Sequence, residues 1–146
     1  MATEIKSKMS IHKPASEVYE AFADPEKMAN YWFSSGTARV EQGKTITWRY
    51  EEYNAEGDIQ VLETEENRKI VFSWGGVGEE TVVTILLEQR ESGNTIVLVT
   101  ESGFKEDDPH LISKLLGQQQ GWIYMLTCLK AYLENGIKTL RASLVH

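Results

Sequence analysis

Six residues near the C-terminus, Leu115, Gln119, Trp122, Leu126, Leu129 and Leu133, recur at alternating steps of four and three, the spacing of one face of a long α-helix. At about 100° per residue they fall within roughly 40° of a common line. Ile112, Leu116, Ile123 and Met125 are expected to widen that face on both flanks. Such a helix must lie against something broad. The middle of the chain offers that surface, because Ile, Val, Trp and Tyr recur there at every second position, as in strands with one buried face. A long helix laid across a curved sheet leaves room for a cavity between them.

The 146 residues suit one domain, and the chain is read as a single unit over residues 1–146. At that length about two thirds of the surface of the unfolded chain can be buried. Apolar residues at 41% and charged residues at 25% match a globular protein rather than a disordered one. No apolar run approaches the roughly 20 residues of a membrane span, and the opening MATEIKSKMS lacks the apolar core of a secretory signal. A cytoplasmic location without a membrane span is therefore expected. The single cysteine, Cys128, allows no internal disulfide. A net charge of −7 and the absence of a basic stretch argue against a nucleic-acid partner, since a polyanion would be repelled.

Ile5 to Ile11 reads as a first strand, followed by two short helices. Pro14 suits a helix start, and Asp24-Pro25-Glu26 combines a capping side chain, a fixed first turn and an acid near the positive helix end. Strands are expected near Thr37 to Glu41, Thr45 to Glu51, Gly57 to Thr64, Lys69 to Trp74, Thr81 to Arg90 and Thr95 to Ser102. Their linkers are too short for parallel crossovers, so an antiparallel meander is expected. Asp108-Pro109 then starts the long helix and Asn135-Gly136 stops it. Ile46, Trp48 and Tyr50 share one strand face, as do Ile70, Phe72 and Trp74. A two-residue turn at Ser92-Gly93 would set Leu87 opposite Leu98 and Ile85 opposite Thr100. A slip of one residue would instead turn Leu86, Val97 and Val99 inward.

This order of elements, with Pro14-Ala15-Ser16-Glu17-Val18-Tyr19-Glu20-Ala21-Phe22, Tyr31-Trp32, Gly57, Arg68 to Trp74, Thr81 to Ile85 and Gly121-Trp122, resembles the family related to the C-terminal domain of the Hsp90 ATPase activator. That family lies within the START-like or Bet v 1-like superfamily. The resemblance implies an α+β helix-grip fold, in which a curved antiparallel sheet wraps a long C-terminal helix and encloses a ligand cavity. It also implies a chaperone link, and relatives in the wider superfamily include aromatases and cyclases. Where such relatives often continue the first Trp as Trp-Gly-Pro, Trp32 here is followed by Phe33-Ser34-Ser35, which alters the expected cavity rim.

Catalytic and metal chemistry find little footing. His12, His110, His146 and Cys128 show no ligand spacing, so no metal or cofactor is expected, and Cys128 reads as a buried inert thiol. Gly75-Gly76-Val77-Gly78 lies between strands, which suits a hairpin loop rather than a phosphate cradle. The acids show no acid and base pairing, and most are assigned to loops or outward faces. The aromatic residues Trp32, Trp48, Tyr50, Trp74 and Trp122 either fill the core or line a cavity, with Phe72 assigned to the core.

Gln119 interrupts the apolar stripe and needs a partner: a sheet carbonyl, a cavity water or a ligand. Gly121, inside a helix, needs a reason such as close sheet contact or a bend. The expected function is binding of a small, largely apolar molecule, a lipid or an aromatic compound, by Trp32, Trp48, Tyr50, Trp74, Gln119, Trp122, Met125 and Leu126. The alternatives are a cyclase or aromatase-like enzyme and an Hsp90-linked or stress-response interaction protein.

Overall fold

The computed structural model describes residues 3–143 and Val145; His146 lies outside them. Strand β1 (Glu4–Ile11) is followed by α1 (Ala15–Ala23) and α2 (Pro25–Met28). Then come β2 (Ser35–Gly36), β3 (Thr45–Tyr50), β4 (Ala55–Glu65), β5 (Lys69–Trp74), β6 (Thr81–Gln89) and β7 (Thr95–Ser102), and finally the helix α3 (Leu111–Asn135). The strands form one antiparallel sheet of seven, ordered β1-β7-β6-β5-β4-β3-β2.

The starts at Pro14 and Asp24 and the stop at Gly136 act as the sequence implies, whereas Asp108-Pro109 stands ahead of the long helix and does not cap it. Asp24 Oδ1 accepts from the Glu26 N–H at 2.9 Å. Asp108 Oδ1 accepts from the His110 N–H at 2.7 Å, leaving His110 at the N-cap of α3 rather than inside its first turn. Gly136 ends the helix at φ 68°, where its N–H reaches the Tyr132 carbonyl at 2.8 Å, because only a residue without Cβ adopts that conformation freely.

Three expectations are corrected. No strand forms over Thr37 to Glu41, and the short β2 precedes it at Ser35–Gly36; Thr37 N–H still donates to the Thr47 carbonyl of β3 at 3.1 Å, but the chain then leaves the sheet, and the buried Val40 bonds through its N–H to the Ala23 carbonyl at 2.9 Å. The β6–β7 hairpin has a three-residue loop, not a two-residue one. Arg90 N–H donates to the Asn94 carbonyl at 2.8 Å, the Gly93 N–H returns to the Arg90 carbonyl at 3.0 Å, and Gly93 sits at φ 89°, the pattern of a turn closed by a left-handed residue. That loop sets Leu87 opposite Val97, Ile85 opposite Val99 and Val83 opposite Glu101, so Val97 and Val99 face inward while Leu86 keeps to the other side.

The third correction concerns α3. Its buried residues are Trp122, Met125, Leu126, Cys128 and Leu129, whereas Ile112, Leu116 and Ile123 are 73%, 67% and 42% exposed. The helix docks along β1, where Gln119 reaches the Lys6 carbonyl at 3.0 Å, Lys130 Nζ reaches the Ser10 carbonyl at 2.6 Å and Glu134 accepts from the His12 N–H at 2.9 Å. Ile112, Leu116 and Ile123 lie on the exposed side of α3, so these apolar flanks meet no layer. A register shift between Val61 and Glu63 marks a bulge in β4, which bends that strand locally.

Candidate functional site

The inward faces of β3 and β5 carry Trp48, Tyr50, Phe72 and Trp74, and α3 sends Trp122 toward them. Trp74 stacks on Trp122 at 5.3 Å and 25°, Trp32 meets Trp122 edge-on at 5.6 Å and 66°, and Phe33 stacks on Trp48 at 4.9 Å and 30°. Offset stacks and edge contacts of this kind add to the area term. They do not fill the space.

An outer chamber of about 760 Å³ opens between β3, β4 and the first turns of α3, and an inner one of about 440 Å³ lies beside Trp32, Trp122 and Met125. Phe33, Tyr50, Trp74 and Gln118 line both, so the two adjoin. Their size is that of small-molecule sites. All four tryptophans of the sequence line one chamber or both. Arg141 closes the far end of the inner chamber, donating from Nη2 to Glu52 at 2.6 Å and from Nη1 to the Trp32 carbonyl at 3.1 Å.

Of the residues expected at the site, Trp32, Trp48, Tyr50, Trp74, Trp122 and Met125 line the chambers. Gln119 and Leu126 do not. Leu126 is fully buried in the core. Gln119 Nε2 donates to the Lys6 carbonyl at 3.0 Å and to Ser7 Oγ at 2.8 Å, so its partner is the edge strand, and the amide fastens α3 to β1. Gln119→Ala is therefore expected to cost about 1 kcal/mol in urea unfolding and to leave ligand affinity unchanged.

The neighbouring Gln118 reaches the site instead, together with Gly117 and Gly121. A Cβ built at either glycine meets nothing within 4 Å, which corrects the expectation of close sheet contact at Gly121: Gly117 lines the outer chamber and Gly121 the inner one, each beside open space. Ala at each should stabilise the helix by about 0.5–1 kcal/mol.

A residue assigned to no site from the sequence sits at the centre. Glu101 on β7 is 1% exposed and lines the outer chamber. Its Oε1 accepts from Trp122 Nε1 at 2.8 Å and Gln118 Nε2 at 3.0 Å; its Oε2 accepts from Thr81 Oγ1 at 2.5 Å and Trp74 Nε1 at 3.2 Å. An indole can only donate, so a buried carboxyl is the acceptor that lets two tryptophans turn their polar edges inward. The signal was present in the sequence as parity: Glu101 lies two and four residues from Val99 and Val97, on the face that the hairpin loop turns inward.

Burial holds the Tyr50 and Tyr31 hydroxyls well above the ordinary phenol range, the latter helped by the nearby Tyr132 and Tyr50. Tyr31 donates to the Ala21 carbonyl at 2.8 Å. Burial also raises the Cys128 thiol, against opposing effects of Tyr124 and Arg141, so it stays protonated at neutral pH and has the character of a packing residue. Among the described residues no cluster of three or more His, Cys, Asp or Glu has metal-binding geometry, and no helix is long and apolar enough to cross a membrane.

The family described as Activator of Hsp90 ATPase homolog 1-like protein matches residues 12–134. The chain belongs to this family. Its fold is the helix-grip α+β fold shared by solved relatives, among them the protein SSP2350 from Staphylococcus saprophyticus, 47% identical, with a TM-score of 0.82 over 93% of this chain and 95% of that one. DynU16, from the dynemicin biosynthetic locus, is 25% identical with a TM-score of 0.82; the match covers 93% of this chain but 49% of DynU16. The Aha1 dimer from Colwellia psychrerythraea, at 21% identity and a TM-score of 0.78 over 92% and 98% of the two chains, has the same fold. No protein with a curated description matches the sequence. Membership of the Activator of Hsp90 ATPase homolog 1-like family accounts for the layer order.

Proposed function

We propose that this protein binds a small, largely apolar molecule, a lipid or a flat aromatic compound, in the paired chambers between α3 and the sheet, as a single cytoplasmic domain. One observation carries the reading: all four tryptophans converge on the chambers, while α3 contributes Gly117 and Gly121 to the chamber walls beside open space. Core filling alone gives no reason for helix glycines above open space, since each costs about 1 kcal/mol relative to alanine. Burial of ligand area supplies the affinity, and the indole and phenol groups orient the ligand.

Calorimetric titration against fatty acids and polycyclic aromatics tests the proposal. Saturable binding is expected, and Gly121→Leu should abolish it while the urea midpoint holds or rises. Absence of any saturable ligand, or undiminished binding by the filled variant, would overturn it.

A cyclase-like activity is the second reading, supported by the likeness to a protein of a biosynthetic locus; turnover of a poly-β-ketone chain by the purified protein would favour it. The family's description also suggests an Hsp90 partner. Stimulation of Hsp90 ATPase by this chain would support that, and no stimulation would remove it.

A further inference from the structure

Each cation in the walls of the chambers already has its own acid. Lys114, in the outer wall, engages Asp108 and Glu79, the latter at 3.3 Å, and Arg141, in the inner wall, engages Glu52 at 2.6 Å. Glu101 is different. It has four neutral donors, and none of the ion pairs among the described residues includes it. Glu56, Asp58 and Glu79 also line the outer chamber, but all three are exposed and are engaged by Arg49, Thr47 and Lys114 at 3.0, 2.6 and 3.3 Å. Glu101 is thus the one buried acid in the chamber walls, and among the described residues no cation of those walls lacks an acid of its own.

Three of the four donors on Glu101 are fixed: Trp74 and Trp122 stack on each other, and Thr81 belongs to β6. The fourth, Gln118, is a flexible side chain that lines both chambers and spans both carboxylate oxygens at 3.0 and 3.2 Å. A neutral amide is a weaker partner for a carboxylate than an ammonium group, because charge-assisted hydrogen bonds are about twice as strong and the low-dielectric surroundings amplify the attraction.

We infer that the ligand class is an organic cation, an aryl-alkyl primary amine whose flat apolar body lies among the indoles and whose ammonium takes the place of the Gln118 amide on Glu101. The inference rests on the cavity reading above and narrows it. The aromatic walls favour the same ligand a second time, since a cation near an indole or phenol face is attracted by the ring quadrupole. Lys114 and Arg141, each neutralised by its own acid, leave an anion no comparable site.

The test uses three probes of one shape, 2-(2-naphthyl)ethylamine, 2-(2-naphthyl)ethanol and 3-(2-naphthyl)propanoate, titrated by calorimetry and by NMR of the indole N–H signals. The amine should bind at least about tenfold tighter than the alcohol and shift the Trp74 and Trp122 indole signals. The preference should persist at high salt, because a buried pair is poorly screened. Gln118→Ala, which removes the internal competitor, should tighten the amine by about threefold and leave the alcohol unchanged.

Glu101→Gln should erase the preference; if that variant fails to fold, the wild-type probe series and Gln118→Ala still decide. Equal binding of amine and alcohol, or an amine preference lost in salt, overturns the inference and leaves the cavity reading standing. Binding by none of the three overturns the inference. The cavity reading falls too if the fatty-acid and polycyclic panel also fails.

Discussion

Replacing Glu101 with alanine should lower the unfolding free energy by about 3 kcal/mol, an effect far larger than that of any exposed acid, because four donors lose their acceptor at once. Trp122 and Thr81 are buried, at 3% and 8% exposure, and the cost of leaving such groups unpaired is about 1–3 kcal/mol apiece. Water entering from the outer chamber recovers part of that, which is why the sum is not the simple total. Urea denaturation gives the number. Glu88→Ala, on the exposed side of β6, serves as the control and should stay within about 0.5 kcal/mol. If the two variants were equally stable, the carboxylate would not be the fastener that the geometry makes it. Since total stabilities run at about 5–15 kcal/mol, the Glu101 variant is best measured at low temperature with the wild type alongside.

Trp122→Ala should cost about 3–5 kcal/mol and also remove ligand binding. The side chain supplies the stack on Trp74, the edge contact with Trp32 and the 2.8 Å bond to Glu101, and it forms a wall of the inner chamber. Leu126→Ala is the informative comparison. Leu126 is fully buried, one turn further along α3, and lines neither chamber. Its truncation should cost about 2–5 kcal/mol, yet the folded fraction should bind ligand with wild-type affinity. Unfolding curves combined with calorimetry under conditions where both variants are folded separate the two effects. Equal loss of affinity in both variants would mean that binding follows global stability rather than the wall of the chamber.

The elements of the fold were legible because their signals are local. Asp24, Asp108 and Gly136 act through bonds within a few residues of themselves, and the alternation Ile46-Trp48-Tyr50 or Ile70-Phe72-Trp74 states its own inward face. The same alternation turns Trp48, Tyr50 and Trp74 toward the chambers, which six of the eight residues expected at the site line. Gln119 and Leu126 line neither chamber, for a different reason. The stripe defines which side of α3 is apolar, but its rotation and tilt depend on what it docks against. The helix turns Gln119 to the backbone of β1 and brings Gly117, Gln118 and Gly121 over the cavity.

Composition and periodicity by themselves determined the layer order, one long helix over an antiparallel sheet, and the stock of indoles available to a cavity, since both rest on repeat spacing along a single element. The tertiary structure alone decided that Ile112, Leu116 and Ile123 face outward, that the three-residue loop turns Glu101 inward, and that the helix glycines stand over open space. Those outcomes depend on how α3 is rotated against the sheet and on a one-residue choice of strand register. Both are settled by the packing of distant segments and not by any window of the chain.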